Sequence, residues 1–177
     1  MESISSDLTQ LLVTEAVREM EKYFEKSNDK DFHIEAHIFE MGLKPGFAIA
    51  SQLCSEGQDV LNIEEAGKFI ATNLSQKLFN SRARYEVNKN VLVVQFKAPF
   101  PFWFKFLSNL DGKSSKSENF WFRSYASFFS GVFTGALTHF GFKSQASFSL
   151  SSTSELVFKF ETLDLDGSWG FSSIMHH

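Results

Sequence analysis

The chain has 177 residues, 43% hydrophobic and 21% charged, with a formal net charge of −4, a composition that fits one globular domain able to bury its own core. Acids and bases are interspersed, which excludes the basic footprint of a nucleic-acid binder; the single cysteine, Cys54, excludes an internal disulfide and points to a reducing compartment. The 22 phenylalanines, each able to bury about 150–250 Å², require either a very aromatic core or rings that face a partner or ligand.

The opening residues, MESISSDLTQ, carry acids and no basic segment ahead of an apolar run, so neither a secretory signal nor a transit peptide is expected. From Leu8 to Lys26 the apolar residues recur at helical spacing. Leu8, Leu12, Ala16, Met20 and Phe24 form one line, and Ser6 or Asp7 is placed to cap it. Leu11, Val13 and Val17 lie off that line, so the helix has more apolar positions than one face needs. Ser27 to Asp31 reads as a turn. A second helical stretch carries Phe32, Ile34, Ile38, Phe39 and Met41. Pro45 has no N–H to donate and predicts a kink or break before Phe47, Ile49, Ala50 and Leu53 resume the pattern. Beyond the loop 55–58, a third helix is predicted over 62–80, with Ile63, Ala66, Phe69, Ile70, Leu74 and Leu78 as its apolar face.

Ala83–Val87 and Val91–Lys97 read as strands joined by Asn88-Lys89-Asn90, a turn whose asparagines tolerate positive φ. Pro99 and Pro101 stop regular pairing. The aromatic run Phe100 to Phe106 reads as a core or protein-interface strand, with an interfacial membrane anchor as the alternative, and 112–119 as a solvated loop. Ser124 to Phe142 then runs without a formal charge. Ser127, Ser130, Thr134 and Thr138 line one stripe of it, while Phe129, Val132, Phe133, Ala136, Leu137 and Phe140 fill the remaining arc. This is a helix buried in protein rather than lipid. Gly131 and Gly135 share one face at a cost of about 1 kcal/mol each against alanine, which implies a second backbone pressed against them. Gly141 is the expected C-cap. Ser144–Leu150 and Glu155–Glu161 alternate as an antiparallel hairpin. The element order predicts an α+β domain over residues 1–165, helices packed on a small antiparallel sheet, with 166–177 as a loose tail.

Residues that carry chemistry are few. His33 and His37 stand four apart, as zinc ligands on one helix face do, with Glu40 as the one further ligand in reach; the plainer reading is a pair of surface histidines. His176-His177 reads as tail. There is no G-x-S-x-G, phosphate loop or dinucleotide fingerprint, and Glu64-Glu65 reads as a solvated helix face. No catalytic residue, cofactor or metal is expected.

Three landmarks together resemble the small core subunits of TRAPP, the transport protein particle. Met41-Gly42-Leu43 with Gly46 and Leu53 is similar to that family's glycine-spaced second helix. Gly67 to Leu74 with Phe79 is similar to its third helix, and Gly131 to Leu137 with Gly141-Phe142 to the helix before its last hairpin. The likeness spans roughly residues 8 to 163, and the sixth-subunit type is nearest, on the Met41-Gly42 start and the Leu156 to Phe160 ending. Pro45 stands where the family has a branched aliphatic residue, and Ser75 where an aromatic is usual.

The resemblance implies a non-catalytic subunit that pairs with other small TRAPP subunits, as a hetero- or homodimer, through its first two helices. It implies Rab GTPase contact only through the complex, and a cytoplasmic place on Golgi or ER-derived membranes. The interface expected from it is Leu8, Leu12 and Ala16 on the first helix with Ile34, Ile38 and Met41 on the second. One branch of the family carries a buried lipid on a cysteine. Cys54 is the candidate acyl acceptor here, although that branch's cysteine lies further along, past the second helix, and a small buried hydrophobe is the plainer reading. The alternative from another class is a module of the related sensory-domain type, with phenylalanines lining a pocket for a small hydrophobic ligand.

Overall fold

The computed structural model describes residues 3–54, 60, 62–97, 116–150 and 155–163, with the backbone alone for 3–10 and 116–119. The loop 55–58, the aromatic run Phe100 to Phe106 and the tail 166–177 lie outside the described residues.

Helix α1 spans Ser3–Tyr23 and α2 spans Lys30–Cys54. α1 therefore begins ahead of Ser6 and Asp7, which lie within it instead of capping it. α2 passes through Pro45 without a break, contrary to the sequence expectation. The reason lies in what the adjoining residues are pressed against. Gly42 and Gly46, which flank Pro45, are both pressed against the backbone of α5 (Lys116–His139), and Pro45 itself is exposed. Both sides of the proline are clamped to the same stretch of α5, so a lost hydrogen bond on the wet side does not separate them.

α2 and α5 run parallel. Glu35 pairs with Arg123 near their starts, and Phe47 meets His139 near their ends, with ring centroids 5.0 Å apart. Between these points the helices approach to backbone contact. A Cβ on Gly46 would lie 2.8 Å from the Val132 Cα and closer still to its carbonyl; one on Gly131 would meet the Phe39 carbonyl oxygen. Gly42 and Gly135 are enclosed in the same way, by Phe128 and Val132 and by Leu43 and Phe47. α5 starts at Lys116, so its first turns occupy part of the expected loop 112–119. Phe122, Tyr125, Phe129, Val132 and Ala136 carry one helical period along the rest of α5. Ser124, Ser127, Ser130 and Thr134 are buried, as a helix enclosed by protein requires. α5 ends as expected at Gly141, where φ is +87°. The Gly141 N–H donates to the Thr138 carbonyl and the Phe142 N–H to Leu137, a Schellman closure.

The third predicted helix is present with an internal irregularity. α3 (Ile63–Phe69) is capped by Asn62, whose side chain accepts from the Glu65 N–H at 2.9 Å; one π turn over Ile70–Leu74 leads into α4 (Ser75–Phe79). The buried Ser75 hydroxyl donates to the Ile70 carbonyl at 2.7 Å, and the Ala71 carbonyl accepts from the Ala83 N–H at 2.8 Å. Ser75 thus fills a place too tight for an aromatic ring, and the widened turn fastens the helix to the chain entering the sheet. Asn80 closes α4 in the left-handed region, with φ 52°.

Strands β1 (Arg84–Asn88), β2 (Val91–Lys97), β3 (Ser144–Leu150) and β4 (Glu155–Thr162) form one antiparallel sheet in the order β1-β2-β4-β3. The two hairpins expected from alternation are joined by β2 against β4. Leu92 stands opposite Phe160, Val94 opposite Phe158 and Phe96 opposite Leu156, and all six are buried. In the β1–β2 turn the positive φ falls on Lys89 rather than on an asparagine. The Asn90 amide is used elsewhere, donating to the Thr162 carbonyl at 3.1 Å and tying the turn to the end of β4.

The core lies between α5 and this sheet, and it is a cluster of rings. Phe79 packs on Phe129 with centroids 4.7 Å apart, Phe133 on Phe158 at 5.2 Å, and Phe79 on Phe96 at 5.2 Å, all near edge-to-face. Replacing Gly46 or Gly131 with alanine should test the helix seam. Alanine adds about 1 kcal/mol of helix propensity, but the new methyl meets backbone that cannot turn aside. We expect a net loss of about 1–3 kcal/mol in urea unfolding; a neutral or stabilising substitution would show that the seam is looser than described.

Candidate functional site

The first two helices each carry two apolar lines, one turned inward and one outward. On α1, Val13 and Val17 are buried, and Met20, with Phe24 just past the helix end, packs against the core beside them. Thr14 bonds the Tyr125 hydroxyl at 2.7 Å and so fixes the roll of α1 on α5. Leu11 and Leu12 are left 56% and 59% exposed, and Ala16 lies half-buried at the boundary.

On α2 the inward line is Ile34, Ile38, Gly42, Gly46 and Ala50, a row of residues four apart that follows the seam with α5. The outward line is Phe32, Ala36, Phe39, Leu43 and Phe47. Steps of three and four residues keep these five on one helical face. Phe32 is 70% exposed and Phe47 47%, Ala36 is exposed, and Phe39 and Leu43 are half-buried. From Phe32 to Phe47 this apolar strip runs about 22 Å.

Charges border the strip. On the α5 side the Arg123 guanidinium donates from Nη2 to Glu35 Oε2 at 2.9 Å and from Nε to Oε1 at 2.5 Å; this pairing raises the Arg123 pKa, against a smaller lowering by burial. On the opposite side stand the exposed Glu40 and Lys44, with the His37 Nδ1 3.6 Å from a Glu40 oxygen. Among the described residues, His33 and His37 join no third residue in a group that could hold a metal ion. Both stack on Phe24, with centroids 5.1 and 5.6 Å away, and so help to fasten α1 to α2.

The expected interface residues divide accordingly. Leu12 and Met41, the latter 38% exposed, are on the surface, and Ala16 is at its edge. The Leu8 side chain lies outside the described residues. Ile34 and Ile38 are corrected to core: both are 0% exposed and offer no area to a partner. In their place the structure presents Phe32, Ala36, Phe39, Leu43 and Phe47. The missed signal is the glycine row. Gly42 and Gly46 continue the four-residue spacing of Ile34 and Ile38, so whichever line carries the glycines is the line pressed against another helix.

Cys54 is the last residue of α2, half-buried, and burial pushes its thiol pKa up. Among the described residues no helix is long and apolar enough to cross a membrane.

A profile of the family described as transport protein particle (TRAPP) component matches residues 9–162. Among solved structures, that of a trafficking protein particle complex subunit 3 from Naegleria fowleri, covalently bound to palmitic acid, is similar at a TM-score of 0.68. The two share 15% identity over 91% of this chain and 96% of that one, a likeness of fold. No curated protein matches the sequence.

Leu12→Asp and Phe47→Asp should leave the unfolding midpoint within about 0.5 kcal/mol of the parent, as surface changes do, whereas Ile38→Ala should cost about 2–5 kcal/mol. The reverse ranking in urea titrations would exchange the inward and outward lines. Because the raised pKa leaves less thiolate, Cys54 should alkylate with iodoacetamide at pH 8 more slowly than free cysteine. An equal rate would mean that the thiol is not held in the core's edge.

Proposed function

The chain belongs to the transport protein particle (TRAPP) component family, and from that membership we propose that it acts as a non-catalytic small core subunit of a vesicle-tethering and Rab guanine-nucleotide-exchange complex. Its part is assembly. The observation that carries this reading is the apolar strip on the outer side of α2, together with Leu11 and Leu12 on α1. A protein of this size gains nothing from holding phenylalanine rings in water, and burying each against a partner stabilises by about 1.5–3 kcal/mol. Leu12, Ala16, Met41 and, on α1's first turns, Leu8 belong to the same proposed surface. Its partners are other small TRAPP subunits that present a helix pair of their own. Rab contact comes through the assembled complex, and the setting is the cytoplasmic side of Golgi or ER-derived membranes. Within the family we assign the sixth-subunit type, on the Met41-Gly42 and Leu156 to Phe160 landmarks.

The ligand-binding alternative is less well supported. Phe79, Phe96, Phe129, Phe133 and Phe158 pack ring against ring, so these phenylalanines fill the core instead of lining a pocket. The similar Naegleria protein holds palmitic acid covalently. A thioester in this chain would have to use Cys54, the single cysteine, whose thiol pKa is raised by burial, and acylation is not part of the function proposed.

Affinity purification of the tagged chain from its own cells, read by mass spectrometry, tests the proposal. We expect other TRAPP small subunits with the parent chain and at least a tenfold loss of them with Phe32→Asp/Phe47→Asp. A parent chain that brings none, or a folded double variant that brings as many, would sink it.

A further inference from the structure

We propose that the outer edge of β3 pairs with the β3 edge of a second copy of this chain, antiparallel about a two-fold axis through Ser147, and so joins the two four-stranded sheets into one. This surface lies on the sheet side of α5, across that helix from the α2 seam, and does not depend on the assembly reading above. Two observations carry it: the edge is open, and the strand complements itself.

Among the described residues the sheet order leaves β1 and β3 as its edges. β1 carries the exposed Arg84 and Glu86, charges of the kind that keep an edge from pairing. β3 reads SQASFSL, with no charge and no proline, in unbroken register with β4. The Leu163 N–H donates to the Lys143 carbonyl at 2.9 Å. By that phase Gln145, Ser147 and Ser149 turn their backbone groups to β4, while Ser144, Ala146, Phe148 and Leu150 turn theirs outward. The side chains of the same four point toward α5, where Phe148 packs on Phe122 with ring centroids 5.9 Å apart. All four are only half-buried, whereas Leu156, Phe158 and Phe160 beside them on β4 are fully buried. At β3 the backbone ladder and the apolar layer both stop short.

A strand laid antiparallel on this edge must set its own outward backbone groups opposite these, and β3 does so when Ser147 lies on the axis. Phe148 then stands opposite Ala146 of the copy and Leu150 opposite Ser144, so every pair on the face toward α5 sets large against small. On the other face Gln145 meets Ser149 and Ser147 meets its own copy, with no charge in the contact. The nearest like charges on the strands, Lys159 of β4 and its copy, are three strand spacings apart, about 14 Å. That exceeds the screening length of about 8 Å at physiological salt. A strand from another protein would have to reproduce the alternation of large and small; a second copy supplies it by symmetry. One short strand edge buries less than about 1,200 Å², the size of transient contacts, so the dimer is a weak one.

Sedimentation velocity over a concentration series to about 0.5 mM, the range a contact of this size needs, reads the dimer. The parent chain and Phe32→Asp/Phe47→Asp should dimerise alike, which separates this edge from the helix surface. Ser147→Lys, an exposed change on the axis, should keep the parent's urea midpoint and dimerise at least tenfold less. In a Cys54→Ser background, Ser147→Cys should cross-link to its own copy under mild oxidation, because facing residues of a non-hydrogen-bonded pair stand about 4.5 Å apart at Cα. Gln145→Cys should not, since its copy lies four residues further along the facing strand. A parent chain that stays monomeric, with a Ser147→Cys that does not cross-link, would overturn the proposal and leave only a strand of another chain for the edge. Equal cross-linking at both positions would overturn the register. A dimer that Phe32→Asp/Phe47→Asp abolishes would place self-association on the first two helices and overturn β3 as its site.

Discussion

The close passage of α2 over α5 is the contact on which the rest of this structure depends. Four glycines make it possible. With no Cβ at Gly42, Gly46, Gly131 and Gly135, each helix comes within contact distance of the other's carbonyl groups, at about the closest separation two helices can reach. The intrinsic cost of those glycines is about 1 kcal/mol each. It is offset by dispersion contacts along the length of two parallel helices and by the Glu35–Arg123 pairing at one end. A seam between backbones has little tolerance: it fixes the rotation of both helices at once.

Fixing that rotation decides what each remaining face can do. On α5, the side away from the glycines carries Phe129, Phe133 and Leu137, which therefore point at the sheet and at α4 and meet Phe79, Phe96, Phe158 and Phe160. On α2, no residue with bulk can sit in the seam, so its large side chains fall elsewhere. Ile34 and Ile38 close the core at the amino-terminal end, and the rings of Phe32 and Phe47 are left outside. The exposed strip is thus a consequence of the seam. A helix that spends one face on glycine and a second on the core presents its third to whatever comes next.

Much of this was legible in the sequence because it is local. Uncharged length, a serine–threonine stripe and two glycines four apart identify α5 as buried and as pressed against a backbone, and Gly141 as its end. Alternation gives all four strands. What was not legible depends on contacts made at long range. Pro45 reads as a break because nothing nearby says that the turns on either side of it are clamped by Val132 and its neighbours. The π turn over Ile70–Leu74 exists because Ser75 and Ala83 use carbonyls that a regular helix would engage, and Ala83 belongs to the next element. The joining of the hairpins through β2 and β4 is a pairing of segments more than fifty residues apart. The exposed apolar surface was half legible. That both of the first two helices carry apolar positions beyond one face is plain in the sequence, but periodicity alone cannot say which of two apolar lines on α2 faces inward, and the glycine row that settles it had to be extended back to Ile38 and Ile34.

In the assembly reading proposed above, specificity comes from packing. Specificity in an enzyme rests on a few polar groups held at set distances, and their sequence signal is short and recognisable. Here it rests on which face of a helix is left over after packing, and that is set by glycines on the far side of the same helix and on another helix some ninety residues away. Interior and exterior are therefore not independent designs. A methyl group added at Gly42 would act on the exposed strip as surely as a change at Phe39 or Leu43, because it would turn α2 about its own axis and carry the strip with it.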